Sequence, residues 1–99
     1  MAPGRFDVLF GRGRDTRSYT GNLRLQHLVE MYAQKYEKAN KFEKTVIAED
    51  IVKIIYESNA RFLRWIPFEK EWEEVDHVTA RNKISHLFRT RRRTLLRNK

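Results

Sequence analysis

Two groups of residues in this chain have the types and spacing to bind a polyanion. The first is Gly11-Arg12-Gly13-Arg14, followed by Arg17 and then by Gly21-Asn22. Arginine carries a planar fork of donors that suits phosphate oxygens or the O6/N7 edge of guanine. Glycine lets a backbone approach a ligand closely. Arg12-Gly13-Arg14 is like the minor-groove-inserting core of an AT-hook, without the proline that usually follows it. Gly21-Asn22 reads as the opening of a helix, where free backbone N–H groups make a ready phosphate site. The competing reading is a structural loop whose arginines pair with carboxylates.

The second group lies near the end of the chain. Asn82, His86, Arg89 and Arg93 recur at steps of four, three and four, which places them on one stripe of a helix. Asparagine and arginine are the side chains that read adenine and guanine edges in the major groove. Arg81, Lys83 and Arg92 flank the stripe and would supply phosphate contacts. The competing readings are a solvated surface helix and a nuclear localisation signal in Arg89-Thr90-Arg91-Arg92-Arg93; the latter is compatible with DNA binding.

Other chemistry finds little support. Gly11-x-Gly13 invites a dinucleotide reading, but Thr16 stands where the third glycine should be and no βαβ unit follows. No Gly-Lys-Ser/Thr ends the loop, so it is not a P-loop. His27, His77 and His86 are far apart and match no metal spacing. No Ser/His/acid or Cys/His grouping stands out, so the chain is read as a non-enzyme without cofactor or metal.

A chain of 99 residues, 40% hydrophobic and 12% aromatic, is one domain with one core, spanning residues 1–99. Cysteine is absent, which excludes disulfides and thiolate metal sites. No apolar run behind Met1–Arg5 is long enough for a signal peptide, and no segment approaches a membrane span. The formal net charge is +8, and residues 80–99 carry eight cations and no acid, matching the whole excess. Residues 23–60 balance to zero, residues 61–79 are slightly acidic, and residues 1–22 are slightly basic. Such asymmetry suggests a polyanionic partner.

The elements that would position these residues can be read from periodicity. Phe6–Phe10 is a short apolar run that suits a strand, and residues 11–22 read as a loop. Thr20 or Asn22 is the expected N-cap of a helix that starts at Leu23, with Leu25, Leu28, Val29, Tyr32 and Tyr36 on one face. Core packing is the expected role of both tyrosines. A turn at Ala39–Phe42 leads to a second helix, Glu43–Ser58, so rich in Val and Ile that it should be the central element. Arg61–Ile66, the turn Pro67–Lys70 and Glu71–Val75 predict a hairpin. Trp72 is expected on the hairpin face or under the first strand. Glu69, Glu71, Glu73, Glu74 and Asp76 would form a solvated acidic edge that pairs with the basic ends. Asp76 or Thr79 should cap the last helix, which runs toward Arg97, loses core contact near Phe88 and projects beyond it as a basic extension.

Asp7-Val8-Leu9-Phe10-Gly11-Arg12-Gly13, followed by Gly21-Asn22, resembles the signature of an uncharacterised domain family of diatoms and other stramenopiles. The resemblance continues through Tyr32 and Tyr36, Ile47-Ala48, Ile51-Val52, Arg61-Phe62-Leu63, Trp72 with Val75, and Ala80 with Lys83-Ile84. It covers most of the chain and implies no established activity, so function must be argued from the residues.

The expected fold is a small single α+β domain ordered strand, helix, helix, β-hairpin, helix. That order is similar to a winged helix that lacks its first helix and has gained a basic one at its end. In a winged helix the second helix here would read DNA, but its polar residues Lys44, Glu49, Asp50, Lys53 and Glu57 are mixed in charge. Readout is therefore assigned to Arg12, Gly13, Arg14, Arg17 and Asn22 in the loop, and to Arg81, Asn82, Lys83, His86, Arg89, Arg92 and Arg93 in the final helix. The expected function is sequence-preferring binding of double-stranded DNA, as part of a nuclear transcription regulator, with no membrane and no small-molecule substrate involved. The alternative is a module that docks an acidic protein through its basic face. RNA is disfavoured because the strands offer no obvious exposed aromatic pair.

Overall fold

The structure, a computed structural model, describes residues 2–11 and 14–97, with Arg14 by its backbone alone. Its elements are β1 (Val8–Phe10), α1 (Arg14–Ser18), α2 (Thr20–Lys38), α3 (Lys41–Glu57), β2 (Phe62–Ile66), β3 (Glu71–Glu74) and α4 (His77–Arg97). The α+β class and the expected order are present, with one addition. The segment read as a loop contains the five-residue helix α1. The likeness to a winged helix extends to element order alone, and here β1 runs parallel to β2.

The sheet has the order β1-β2-β3. Val8 pairs with Phe62 and Leu9 with Leu63, while the antiparallel hairpin sets Trp65 opposite Trp72 and Arg64 opposite Glu73. Alternation along the strands sends Val8 and Phe62 into the main core and Leu9 and Leu63 to the other face; all four are buried. Trp72 forms an edge-to-face pair with Trp65 at 5.5 Å. Trp65 is 44% exposed, so the strands do carry an accessible aromatic pair.

Helix α3 is central, packed on both α2 and α4. Ile47, Ala48, Ile51, Val52 and Ile55 are buried along it and share one broad face, while Val46, also apolar, is 42% exposed. A capping box starts it: Asn40 accepts from the Glu43 N–H at 2.8 Å, and Glu43 accepts from the Asn40 N–H at 2.9 Å. Helix α2 buries Leu25, Val29, Ala33 and Tyr36. The Tyr36 ring stacks on Phe88 of α4 at 4.0 Å, a core role like the one expected for it. Helix α4 is capped by Asp76, which accepts from the Thr79 N–H at 2.7 Å. It buries Ala80, Ile84 and Phe88, and beyond them Leu95 and Leu96 are exposed.

The start of α2 differs from expectation. The helix begins at Thr20 behind Tyr19, whose side chain makes no capping bond. Gly21 and Asn22 therefore lie in its first turn, and both are buried. A Cβ built on Gly21 would stand 1.9 Å from the Asp7 carbonyl oxygen, so only glycine lets the helix come this close to the chain entering β1. One residue on, the Asn22 carboxamide accepts from the Leu9 N–H at 2.7 Å and donates to the Leu9 carbonyl at 2.8 Å. Since β1 is an edge strand, those two groups would otherwise have no strand partner. Asn22 supplies the missing peptide group from its side chain.

A second clamp ties the N-terminal segment to the sheet. Asp7, 3% exposed, accepts from the main-chain N–H of Arg61 at 2.8 Å, from its guanidinium at 2.7 Å and from the Gly4 N–H at 2.7 Å. Burial opposes ionisation of Asp7, but these donors outweigh it and hold the pKa below the usual carboxylate value.

Candidate functional site

The cations of α4 divide into two sets by their partners. Arg81 binds Glu49 of α3 at 3.0 Å, and Glu49 also bonds His77. These partners outweigh the opposing effect of burial and hold the Glu49 pKa low. Arg91 binds Glu30 of α2 at 2.7 Å, and Arg92 lies 3.8 Å from Glu37. The carboxylates that anchor α4 thus come from α2 and α3, not from the hairpin. Arg64 and Glu73 pair with each other across the hairpin at 3.8 Å, and Asp76 is the helix cap. Core contact in α4 ends at Phe88, as expected, but Arg91 and Arg92 tie the turn that follows to α2, and residues 93–97 beyond it are exposed.

The other set faces water. Asn82, His86, Arg89, Arg93 and Arg97 are exposed. Among the described residues Arg89, Arg93 and Arg97 form no ion pair, and His86 meets only the Thr90 hydroxyl, at 3.4 Å. The stripe expected from spacing is therefore present as an unpartnered face, because its positions lie opposite Ile84 and Phe88 on the helix. Helical geometry gives that face one asparagine, one histidine and two arginines over three turns.

Three expected site residues have structural roles and leave the candidate site. Asn22 is buried and its amide is spent on β1. Arg81 is engaged by Glu49. Lys83 places its ammonium 4.6 Å from the Phe10 ring centroid, and burial lowers its pKa, so it is not a free phosphate contact. Arg17 is exposed on α1. Arg12 and Gly13 lie outside the described residues, as does the side chain of Arg14.

Sequence reasoning missed two lysines. Lys41 and Lys44, at the start of α3, line a cleft of about 320 Å³ together with Arg89 and Arg92 of α4. The Lys44 ammonium sits 5.2 Å from the Tyr36 ring centroid, within cation–π range. The signal for them was weak, because α3 as a whole is slightly acidic and only its first turn is basic on this side. The exposed Trp65–Trp72 pair was missed as well. It lies on strands that carry Glu71, Glu73 and Glu74, an acidic setting that disfavours a phosphate backbone.

Among the described residues no group of three or more His, Cys, Asp or Glu is placed to hold a metal ion. No described helix is long and apolar enough to cross a membrane. What the basic face offers chemically is donors: guanidinium forks, an imidazole, a carboxamide and ammonium groups, all suited to anions.

Neither a curated protein nor a solved structure matches the chain. A family model does match, over residues 7–90, from the Asp7 clamp through β1, the Gly21-Asn22 seat and all but the last turns of α4. The chain therefore belongs to a family described as a domain of unknown function, DUF6824.

Proposed function

We propose that this domain binds double-stranded DNA with sequence preference and serves a nuclear transcription regulator. The observation that carries the reading is the exposed stripe Asn82, His86, Arg89 and Arg93, whose arginines have no carboxylate partner among the described residues while Arg81, Arg91 and Arg92 on the same helix do. A helix that ties some of its arginines to carboxylates of its neighbours but leaves one face unopposed, in a chain of net charge +8, has a surface matched to a polyanion. The side chains on that face include those that read adenine and guanine in the major groove. The Arg91-Arg92-Arg93 run would also suit nuclear import.

Titration of a duplex at several salt concentrations tests the proposal. The logarithm of affinity should fall linearly with the logarithm of salt, with a slope of about −0.9 per phosphate contact. A selection from random duplexes should then return a preferred motif. Absence of duplex binding at low salt would remove the DNA reading and favour the second one, docking of an acidic protein. That second reading draws support from Leu95 and Leu96, which are 48% and 61% exposed beside the arginines and would gain from an apolar contact.

A further inference from the structure

We propose that the cleft between α3 and α4 is a phosphate clamp, in which Lys41 and Lys44 grip the sugar-phosphate backbone beside the groove that α4 enters. The inference rests on the DNA reading and assigns a role to residues outside the α4 stripe.

The cleft is lined by Lys41 and Lys44 from one helix and by Arg89 and Arg92 from the other. Tyr36 and Phe88, stacked at 4.0 Å, form an apolar wall, and the hydroxyls of Thr45 and Ser85 also line it. One carboxylate, Glu37, faces these four cations. Its contact with Arg92 is long, at 3.8 Å, between side chains that are 62% and 42% exposed. A surface pair of that kind is worth little and yields readily to a competing anion. Among the described residues Lys41 and Arg89 have no ion pair. Lys44 is held over the Tyr36 ring at 5.2 Å, which restrains its ammonium with no acid attached. Four cations facing a single carboxylate leave net like charge in the cleft, which destabilises a fold, so such a cluster points to an anion.

The placement suits a duplex. On α4, Ser85, Arg89 and Arg92 follow steps of four and three, the face next to the Asn82-His86-Arg89-Arg93 stripe, and Arg89 belongs to both. A helix seated in a major groove has a phosphate strand along each side. The strand on the α3 side would meet Lys41 and Lys44, while the stripe faces base edges. Contacts of the first kind position the protein and contacts of the second kind specify sequence.

The test compares the whole domain with a Lys41→Gln/Lys44→Gln variant in two assays. In the first, both proteins are titrated with a duplex over a range of salt. In the second, inorganic pyrophosphate is added while the Lys44 and Ser85 amide resonances are followed. The expected result is uniform weakening of the variant on preferred and scrambled duplexes, with the salt slope reduced by about 0.9 for each lysine in contact. Pyrophosphate should shift the Lys44 and Ser85 amides in the parent and not in the variant. If the parent binds duplex and the variant matches it in affinity and slope, the clamp is overturned and the DNA reading stands. If pyrophosphate binds through the lysines but duplex does not bind, the clamp stands as a phosphate site and the DNA reading falls. If the parent binds neither, both fall.

Discussion

The Asp7 carboxylate receives both the main-chain N–H and the guanidinium of Arg61, at 2.8 and 2.7 Å, across 54 positions of sequence. This pair fixes where β1 enters the sheet, because Val8, the next residue, donates its N–H to the Arg61 carbonyl at 2.8 Å. Asp7 stays ionised against burial, so its protonation is linked to folding. Its folded pKa is lowered; the stability it contributes is therefore present above the unfolded carboxylate pKa and lost as pH falls through the folded value. The melting temperature should drop from about pH 5 downward, and Asp7→Asn should lower it at neutral pH while flattening that acid limb. Loss of acceptors for these N–H groups costs about 1–3 kcal/mol. An Asp7→Asn variant with the parent's melting temperature and acid limb would contradict this linkage.

Gly21→Ala should be severely destabilising. Ordinarily alanine in a helix is better than glycine by roughly 0.5–1 kcal/mol. Here the added methyl would stand 1.9 Å from a main-chain oxygen of Asp7, which cannot swing aside as a side chain would. A loss of about 3 kcal/mol or more is expected, at the upper end of overpacking costs. Thermal or urea denaturation decides it, and a neutral or stabilised variant would show that α2 does not sit this close to Asp7.

Asn22→Ala should reduce stability and leave duplex affinity unchanged under conditions where the variant is folded. Each of the two Leu9 groups orphaned on β1 costs about 1–3 kcal/mol. Asn22→Asp should fail as well, since a carboxylate can accept from the Leu9 N–H but cannot donate to its carbonyl. Amide exchange at Leu9 reports the lost bond directly. Loss of DNA affinity with unchanged stability would restore Asn22 to the binding surface.

Arg89→Ala and Arg97→Ala should differ in kind. Arg89 lies on the exposed stripe, so its loss should cost about 1–3 kcal/mol on a preferred duplex and relax preference at one base pair. Arg97, at the end of α4, should weaken all duplexes alike. Equal losses for both variants on preferred and scrambled duplexes would mean that α4 positions the protein without reading bases.

Much of the fold was legible in the sequence. The 3.6-residue recurrence of Leu25, Val29 and Tyr36, the Val/Ile density of α3 and the Pro67–Lys70 break between two strands are local signals. Each survives in the structure because neighbours in sequence decide it. The exposed stripe of α4 was legible for the same reason: on one helix, spacing alone fixes which residues share a face. The segment before α2 was not. Glycine and arginine there read as an open loop, yet five of its residues form α1, and Tyr19 turns back so that its hydroxyl donates to the Gly4 carbonyl at 2.7 Å.

The sequence by itself determined the three strands, the three long helices and their order, the neutral middle and the basic face of α4, since composition and periodicity act within a few residues. Only the tertiary structure decided what the conspicuous residues do. Gly21-Asn22 is the seat of β1, not a phosphate-binding helix start, because Asp7 and Leu9, from earlier in the chain, pack on it. Arg81 and Arg91 are ties, and Arg89 has no ion pair among the described residues, because α2 and α3 present carboxylates to one side of α4 and not the other. Lys41 and Lys44 join Arg89 in a cleft through the packing of α3 on α4. In each case the deciding partner is distant in sequence, and a charge or an amide cannot show from its own neighbourhood whether a partner will meet it.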